Sequence, residues 1–175
     1  MPMTTQDDTD DPPHAATTPD LTIRPTTRAD GAAMWRLARD GGVLDLNSSY
    51  AYLLYAQDFA DTCRVATLDG SVVGFVLAHR PPARPGSLFV WQVGVSPEAR
   101  GRRIAARMIE DLLDSLDVET LEATVTESNT ASRALFSGIA ARRGAELTWR
   151  EFVRGGDFPD EGHEAEPLLQ IPVGH

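Results

Sequence analysis

The chain has 175 residues, 42% of them hydrophobic and 24% charged, and a formal net charge of −10. That length suits one domain with a core of its own, and the acidic balance argues against nonspecific binding to nucleic acid or anionic lipid while permitting cationic small-molecule substrates. No apolar run approaches the roughly 18 residues of a membrane span, and no basic-then-apolar leader opens the sequence. The single cysteine, Cys63, can form no internal disulfide, which agrees with a cytoplasmic setting.

Residues 1–20 hold five aspartates, four prolines and no arginine. Such a stretch cannot bury enough apolar surface to order itself, so a disordered acidic tail is expected there, with His14 solvated. A single domain is expected over 21–175. "LTIRP" alternates as a short strand ending at Pro25. "TTRADGAAMWRLARDGG" reads as a helix with Thr27 as N-cap, Asp30 in the first turn, and Gly41-Gly42 as terminator. "LDLNSSYAYLLYAQDFADT" reads as a second, broken helical region in which Leu46, Tyr50, Leu53 and Leu54 can share a face. "RVATLDGSVVGFVLAHRPP" is a hairpin turning at Asp69-Gly70, and "SLFVWQVGV" is the most apolar strand, expected at the centre of the sheet.

A helix is predicted from about Arg100 to Leu116, with Ile104, Met108 and Leu112 on one stripe. "VETLEATVT" is a strand. "NTASRALFSGIAARRG" is a helix opened by Asn129 and closed by Gly144. "AELTWREFV" and "EPLLQIPV" close the chain as strands around a loop, and Trp35 and Trp149 are assigned to the core. The order β α α β β β α β α β β predicts an α/β fold: a central mixed, mostly antiparallel sheet flanked by helices.

Three arginines, Arg100, Arg102 and Arg103, sit where the central strand hands over to a helix. A helix N-terminus presents unpaired N–H groups and partial positive charge, and guanidinium forks suit phosphate. A diphosphate cradle is one reading; a solvated, arginine-rich helix start in a lysine-free chain is the other. Arg100-Gly101-Arg102-Arg103-Ile104-Ala105 resembles the coenzyme A-binding motif of the GCN5-related N-acetyltransferases, Arg/Gln-x-x-Gly-x-Gly/Ala after an apolar strand. Arg103 departs from it, standing where glycine is usual. The resemblance implies a GNAT-like fold, acetyl-CoA as acetyl donor, and contacts to its pantetheine arm from Val93, Gly94 and Val95, with Gly94 suited to a bulge. It also implies a cofactor role for Asn129. The tyrosine that often serves the family as general acid is replaced by Phe136, which has no proton to donate.

"LDLNSSYAYLL", "LFVWQVGV", "ESNTASRALF" and "HEAEPLLQIP" together resemble the L-2,4-diaminobutyrate acetyltransferases of ectoine biosynthesis. That resemblance implies transfer to the 4-amino group of a small diamino acid, and substrate roles for Asp45, Trp91, Asn47 and Tyr50. It further implies a homodimer. An amine of pKa near 10 is only about one part in a thousand neutral at pH 7, so a base is required. Glu166 or His163 is the catalytic candidate, with Glu166 favoured because a carboxylate can also orient the substrate. Bland alternatives remain open: Asp45 as a helix cap, Trp91 as core, His163 as a solvated loop residue, Glu166 as an edge-strand charge. No histidine spacing typical of zinc occurs, so no metal is expected. Two rival functions are acetylation of another small amine or polyamine, and a non-catalytic acyl-CoA-binding module.

Overall fold

The computed structural model describes residues 20–42 and 44–174. The expected acidic tail, His14 included, lies outside the described residues apart from Asp20. Seven strands form one sheet: β1 (Leu21–Pro25), β2 (Arg64–Leu68), β3 (Ser71–His79), β4 (Ser87–Val95), β5 (Thr120–Thr124), β6 (Thr148–Val153) and β7 (Glu166–Pro172). Four α-helices accompany them: α1 (Gly31–Gly41), α2 (Ser49–Asp58), α3 (Ile104–Ser115) and α4 (Thr130–Arg143). The spatial order is β1-β2-β3-β4-β5-β7-β6, and among the described residues only the β4–β5 pair is parallel. The most apolar strand is therefore central, as its composition requires.

The two faces of the sheet bury different partners. Val76, Ala78, Leu88 and Val90 pack with Ile104, Met108 and Leu112 of α3 and Phe136 and Ile139 of α4. On the opposite face Val65, Phe75 and Leu77 pack with Met34 of α1 and Tyr52 and Ala56 of α2. Arg24 forks onto the buried carboxylate of Asp30 with two bonds of 2.8 Å, and Asp30 also caps Thr27 N–H, which fixes the entry to α1. Arg24 is the main reason the Asp30 carboxyl is held below the usual carboxylate range.

Three expectations change. Helix α3 starts at Ile104, not Arg100, because Gly101 (φ +78°) and Arg103 (φ +57°) are both left-handed and form a turn ahead of it. The apolar side expected here is exposed: Tyr50, Leu53 and Leu54 of α2 and Leu46, which precedes the helix, face outward, and the core takes Tyr52 and Ala56 instead. Trp149 is on exposed strand β6, under the Arg133 guanidinium at 4.2 Å, and not in the core.

Candidate functional site

The site begins at an irregularity in β4. Against β3, Gln92 lies opposite Leu77 but Val90 lies opposite Ala78, so Trp91 is an extra residue. This bulge reverses the facing of everything after it. Before it, Leu88 and Val90 face α3 and α4; after it, Val93 and Val95 do. The bulge expected at Gly94 is thus at Trp91, while Gly94 pairs regularly with Phe75. Glycine is required at 94 for another reason: a Cβ there would meet Phe75 Cε1 at 2.6 Å and Leu37 Cδ2 at 3.1 Å.

Pairing of β4 with β5 ends at Val90 and Ala123. Beyond that point the two parallel strands part, and the β5-facing edge of β4 has no partner strand. Three adjoining cavities fill the opening. The first, about 660 Å³, is lined by Asp45, Asn47, Trp91, Gln92, Asn129 and Glu166, among others. The second, about 370 Å³, runs along Val93, Gly94 and Val95 to Arg100 and Ala105, and shares Asn129 and Ala131 with the first. The third, about 400 Å³, is lined by Arg100, Gly101, Arg103, Ile104 and Ala105, and shares Ala131 and Leu135 with the second. Together they make a continuous passage from the acidic cleft to the turn before α3.

Among the described residues no side chain caps the N-terminus of α3, so its first-turn N–H groups can meet an anion. The donor set of this turn, amides plus the Arg100 and Arg103 guanidiniums, fits a diphosphate. Arg103 adopts with φ +57° the conformation that glycine takes without cost, which is how the chain keeps the turn without the expected glycine. Arg102 is exposed and lines none of the three cavities. Asn129 caps α4, its side-chain oxygen accepting Ser132 N–H at 3.0 Å. Phe136 is buried in the core, so its position offers no proton donor.

In the cleft, Trp91 is backed by Tyr55 at 4.9 Å between ring centroids, and the Tyr55 hydroxyl meets His79 Nδ1 at 3.3 Å. Burial, then Arg84, lower the His79 pKa, which favours the neutral imidazole. The Tyr52 hydroxyl donates to Gln92 Oε1 at 2.9 Å, and Gln92 Nε2 donates to the Asp45 carbonyl at 2.8 Å. Burial pushes the Tyr52 pKa up against opposing hydrogen bonds from Asn47 and Gln92.

Two expected site residues stand elsewhere. His163 stacks on Phe158 at 4.2 Å and pairs with Asp160 at 3.0 Å, out on the loop between β6 and β7. Two residues separate it from Glu166, so the chain spans at most roughly 10 Å between them, and with its two partners on the loop it lines none of the three cavities. Tyr50 is 68% exposed, because α2 buries Tyr52, about 200° around the helix. Sequence reasoning also missed residues. Glu164 accepts from the Ser128 hydroxyl at 2.5 Å and ties the β6–β7 loop to the cleft rim. Gln92 had a visible signal, an amide inside an otherwise apolar strand; Ser128 and Glu164 had none. Among the described residues no group of three or more His, Cys, Asp or Glu side chains is arranged to hold a metal ion.

The family described as Acetyltransferase (GNAT) matches residues 32–138. A curated relative from Streptomyces avermitilis, L-2,4-diaminobutyric acid acetyltransferase, is 47% identical over 84% of this chain and 86% of its own length. Diaminobutyrate acetyltransferase EctA from Paenibacillus lautus, solved in complex with its substrate L-2,4-diaminobutyric acid and coenzyme A, superposes with a TM-score of 0.85. It is 40% identical, with 90% of this chain and 98% of that chain covered. A phosphinothricin acetyltransferase from Sinorhizobium meliloti, at 18% identity and TM-score 0.67 over 88% of this chain and 89% of its own, shares the fold.

Proposed function

The chain belongs to the acetyltransferase (GNAT) family and, within it, to the L-2,4-diaminobutyric acid acetyltransferases, and from that premise we propose the following reaction. The protein transfers acetyl from acetyl-CoA to the 4-amino group of L-2,4-diaminobutyrate. The product, N4-acetyl-L-2,4-diaminobutyrate, serves ectoine biosynthesis. The observation that carries this reading is the continuity of the passage: an acidic, aromatic cleft at one end and a diphosphate-fitting turn at the other.

Each residue then has a task. The first-turn amides of α3, with the Arg100 guanidinium and the left-handed backbone of Arg103, hold the diphosphate, and the unpartnered edge of β4 at Val93–Val95 bonds the amide groups of the pantetheine arm. Bound acetyl-CoA supplies an acetyl carbonyl activated as a thioester. Asp45 pairs with a substrate ammonium and the face of Trp91 stabilises cationic charge. Glu166, at the first position of β7 on the cleft wall, takes the proton from the 4-ammonium onto a carboxylate oxygen, directly or through water. Thiol release needs no strong acid, since the thiol pKa is roughly 8.5.

The working state is a cytoplasmic homodimer acting in osmotic stress. Among the described residues no helix is long and apolar enough to cross a membrane. The outward apolar face of α2 and the exposed edge strand β6 support a second copy of the chain as partner. Light scattering should give twice the 19.0 kDa chain mass.

The reaction is tested by thiol release from acetyl-CoA with diaminobutyrate, with putrescine and with no amine. Diaminobutyrate should stimulate at least tenfold more than putrescine, with acetylation at N4. Stronger stimulation by putrescine would make the protein a polyamine acetyltransferase, and none by either amine would leave an acyl-CoA-binding module.

A further inference from the structure

A glutamine side chain in the most apolar strand of a sheet is an expensive choice, because a buried amide must satisfy both its donors and its acceptor. Gln92 is 7% exposed. Its position follows from the bulge: without the extra residue at Trp91, residue 92 would face α3 and α4 with Leu88 and Val90. Instead it faces α2 and the segment that joins α1 to α2. The same irregularity therefore sets both the aromatic wall of the cleft and this amide.

The polarity of the amide is fixed by its neighbours. A main-chain carbonyl only accepts, so Nε2 is the end that meets Asp45, and Oε1 is left to accept from the fully buried Tyr52 hydroxyl. Residues 44–48 belong to neither helix nor strand. Among the described residues, the Gln92 amide makes its one hydrogen bond to the sheet. Asn47 adds a local bond to the same Asp45 carbonyl at 3.3 Å. Asp45 and Asn47 both line the cleft, and Asp45 is itself exposed. An exposed carboxylate on an irregular segment is a loose partner for a charged substrate unless its main chain is pinned.

We propose that Gln92 is a positioning residue for the acceptor amine: its side-chain amide couples Tyr52 to the Asp45 carbonyl and so holds the Asp45 carboxylate where the substrate ammonium meets it. This rests on the reading of the cleft as the diamine site. It assigns to Gln92 no contact with the reacting atoms, and its effect falls on one substrate only.

The test is steady-state kinetics of Gln92→Met, which keeps length and loses both hydrogen bonds, beside Tyr52→Phe, which leaves the amide but frees it to reorient. Gln92→Met should raise KM for diaminobutyrate at least tenfold while KM for acetyl-CoA stays within twofold. Tyr52→Phe should move the same KM in the same direction by less, and it reads the coupling if Gln92→Met does not fold. An unchanged diaminobutyrate KM in the folded variants overturns the inference. So does a parallel rise of both KM values with a lowered Tm, which is the mark of general packing damage. Activity of the wild-type protein on diaminobutyrate separates the two levels: present, those outcomes remove only the role of Gln92; absent, the functional reading falls and takes this inference with it.

Discussion

The turn before α3 and the acidic cleft lie at opposite ends of one passage, yet they are built in opposite ways. The turn is made from consecutive residues, Arg100 to Ala105, and its shape is set by backbone amides and local φ angles. The cleft takes Asp45 from the α1–α2 connection, Trp91 from β4, Asn129 from the cap of α4 and Glu166 from the start of β7. A site made of contiguous backbone tolerates side-chain change; a site assembled from four elements depends on each side chain and on what holds it.

Substitutions should therefore be costly at the cleft and mild at the turn. The largest effect is expected from Glu166→Gln, which keeps shape but removes the proposed base. Turnover should fall about 100-fold or more with coenzyme A affinity unchanged within twofold, by isothermal titration. Equal activity would reassign the base. Asp45→Ala should raise KM for diaminobutyrate about tenfold, read in the same assay, as a partly exposed charge pair is worth about 1 kcal/mol or slightly more.

Along the middle of the passage, Gly94→Ala forces a Cβ against Phe75 and Leu37. It should lower stability by about 1–3 kcal/mol in a denaturant titration and weaken acetyl-CoA binding. Asp30, at the entry to α1, calibrates purely structural effects. Its folded pKa is depressed chiefly by Arg24, so its contribution is complete above the unfolded value near ~3.9 and is lost as pH falls through the lower folded value. Asp30→Asn should cost about 2 kcal/mol at pH 7 and little at the acid end, with both KM values unchanged.

The smallest effect belongs to the turn. Arg103→Gly should keep activity and leave stability equal or higher by up to about 1 kcal/mol, because the left-handed strain at φ +57° is relieved. A large loss of acetyl-CoA affinity would show that the Arg103 side chain, and not the backbone alone, grips the phosphate.

Much of this was legible along the chain because it is governed by near neighbours. The Asp69-Gly70 hairpin, the Asn129 cap, the Gly144 stop and the central rank of β4 each follow from a few adjacent residues. The passage between the parted strands did not follow, because pairing register is a relation between distant segments. Nor did the outward face of α2: its leucines sit at helical spacing, and spacing says that residues share a side without saying which side the protein covers. His163 shows the same limit. Three positions from Glu166 looks close, but Phe158 and Asp160 hold the imidazole on the loop, and it does not line the cleft.

By itself the sequence determined the elements, their order and the cluster of arginines at the turn before α3, since caps and hairpins are settled by short-range sterics and hydrogen bonding. Only the tertiary structure decided that the bulge lies at Trp91, that Gln92 turns toward Asp45, and that Glu166 and not His163 reaches the cleft. Those outcomes depend on strand register and on the meeting of distant segments: Asp45 and Glu166, 121 positions apart, line one cavity. No local rule encodes either one.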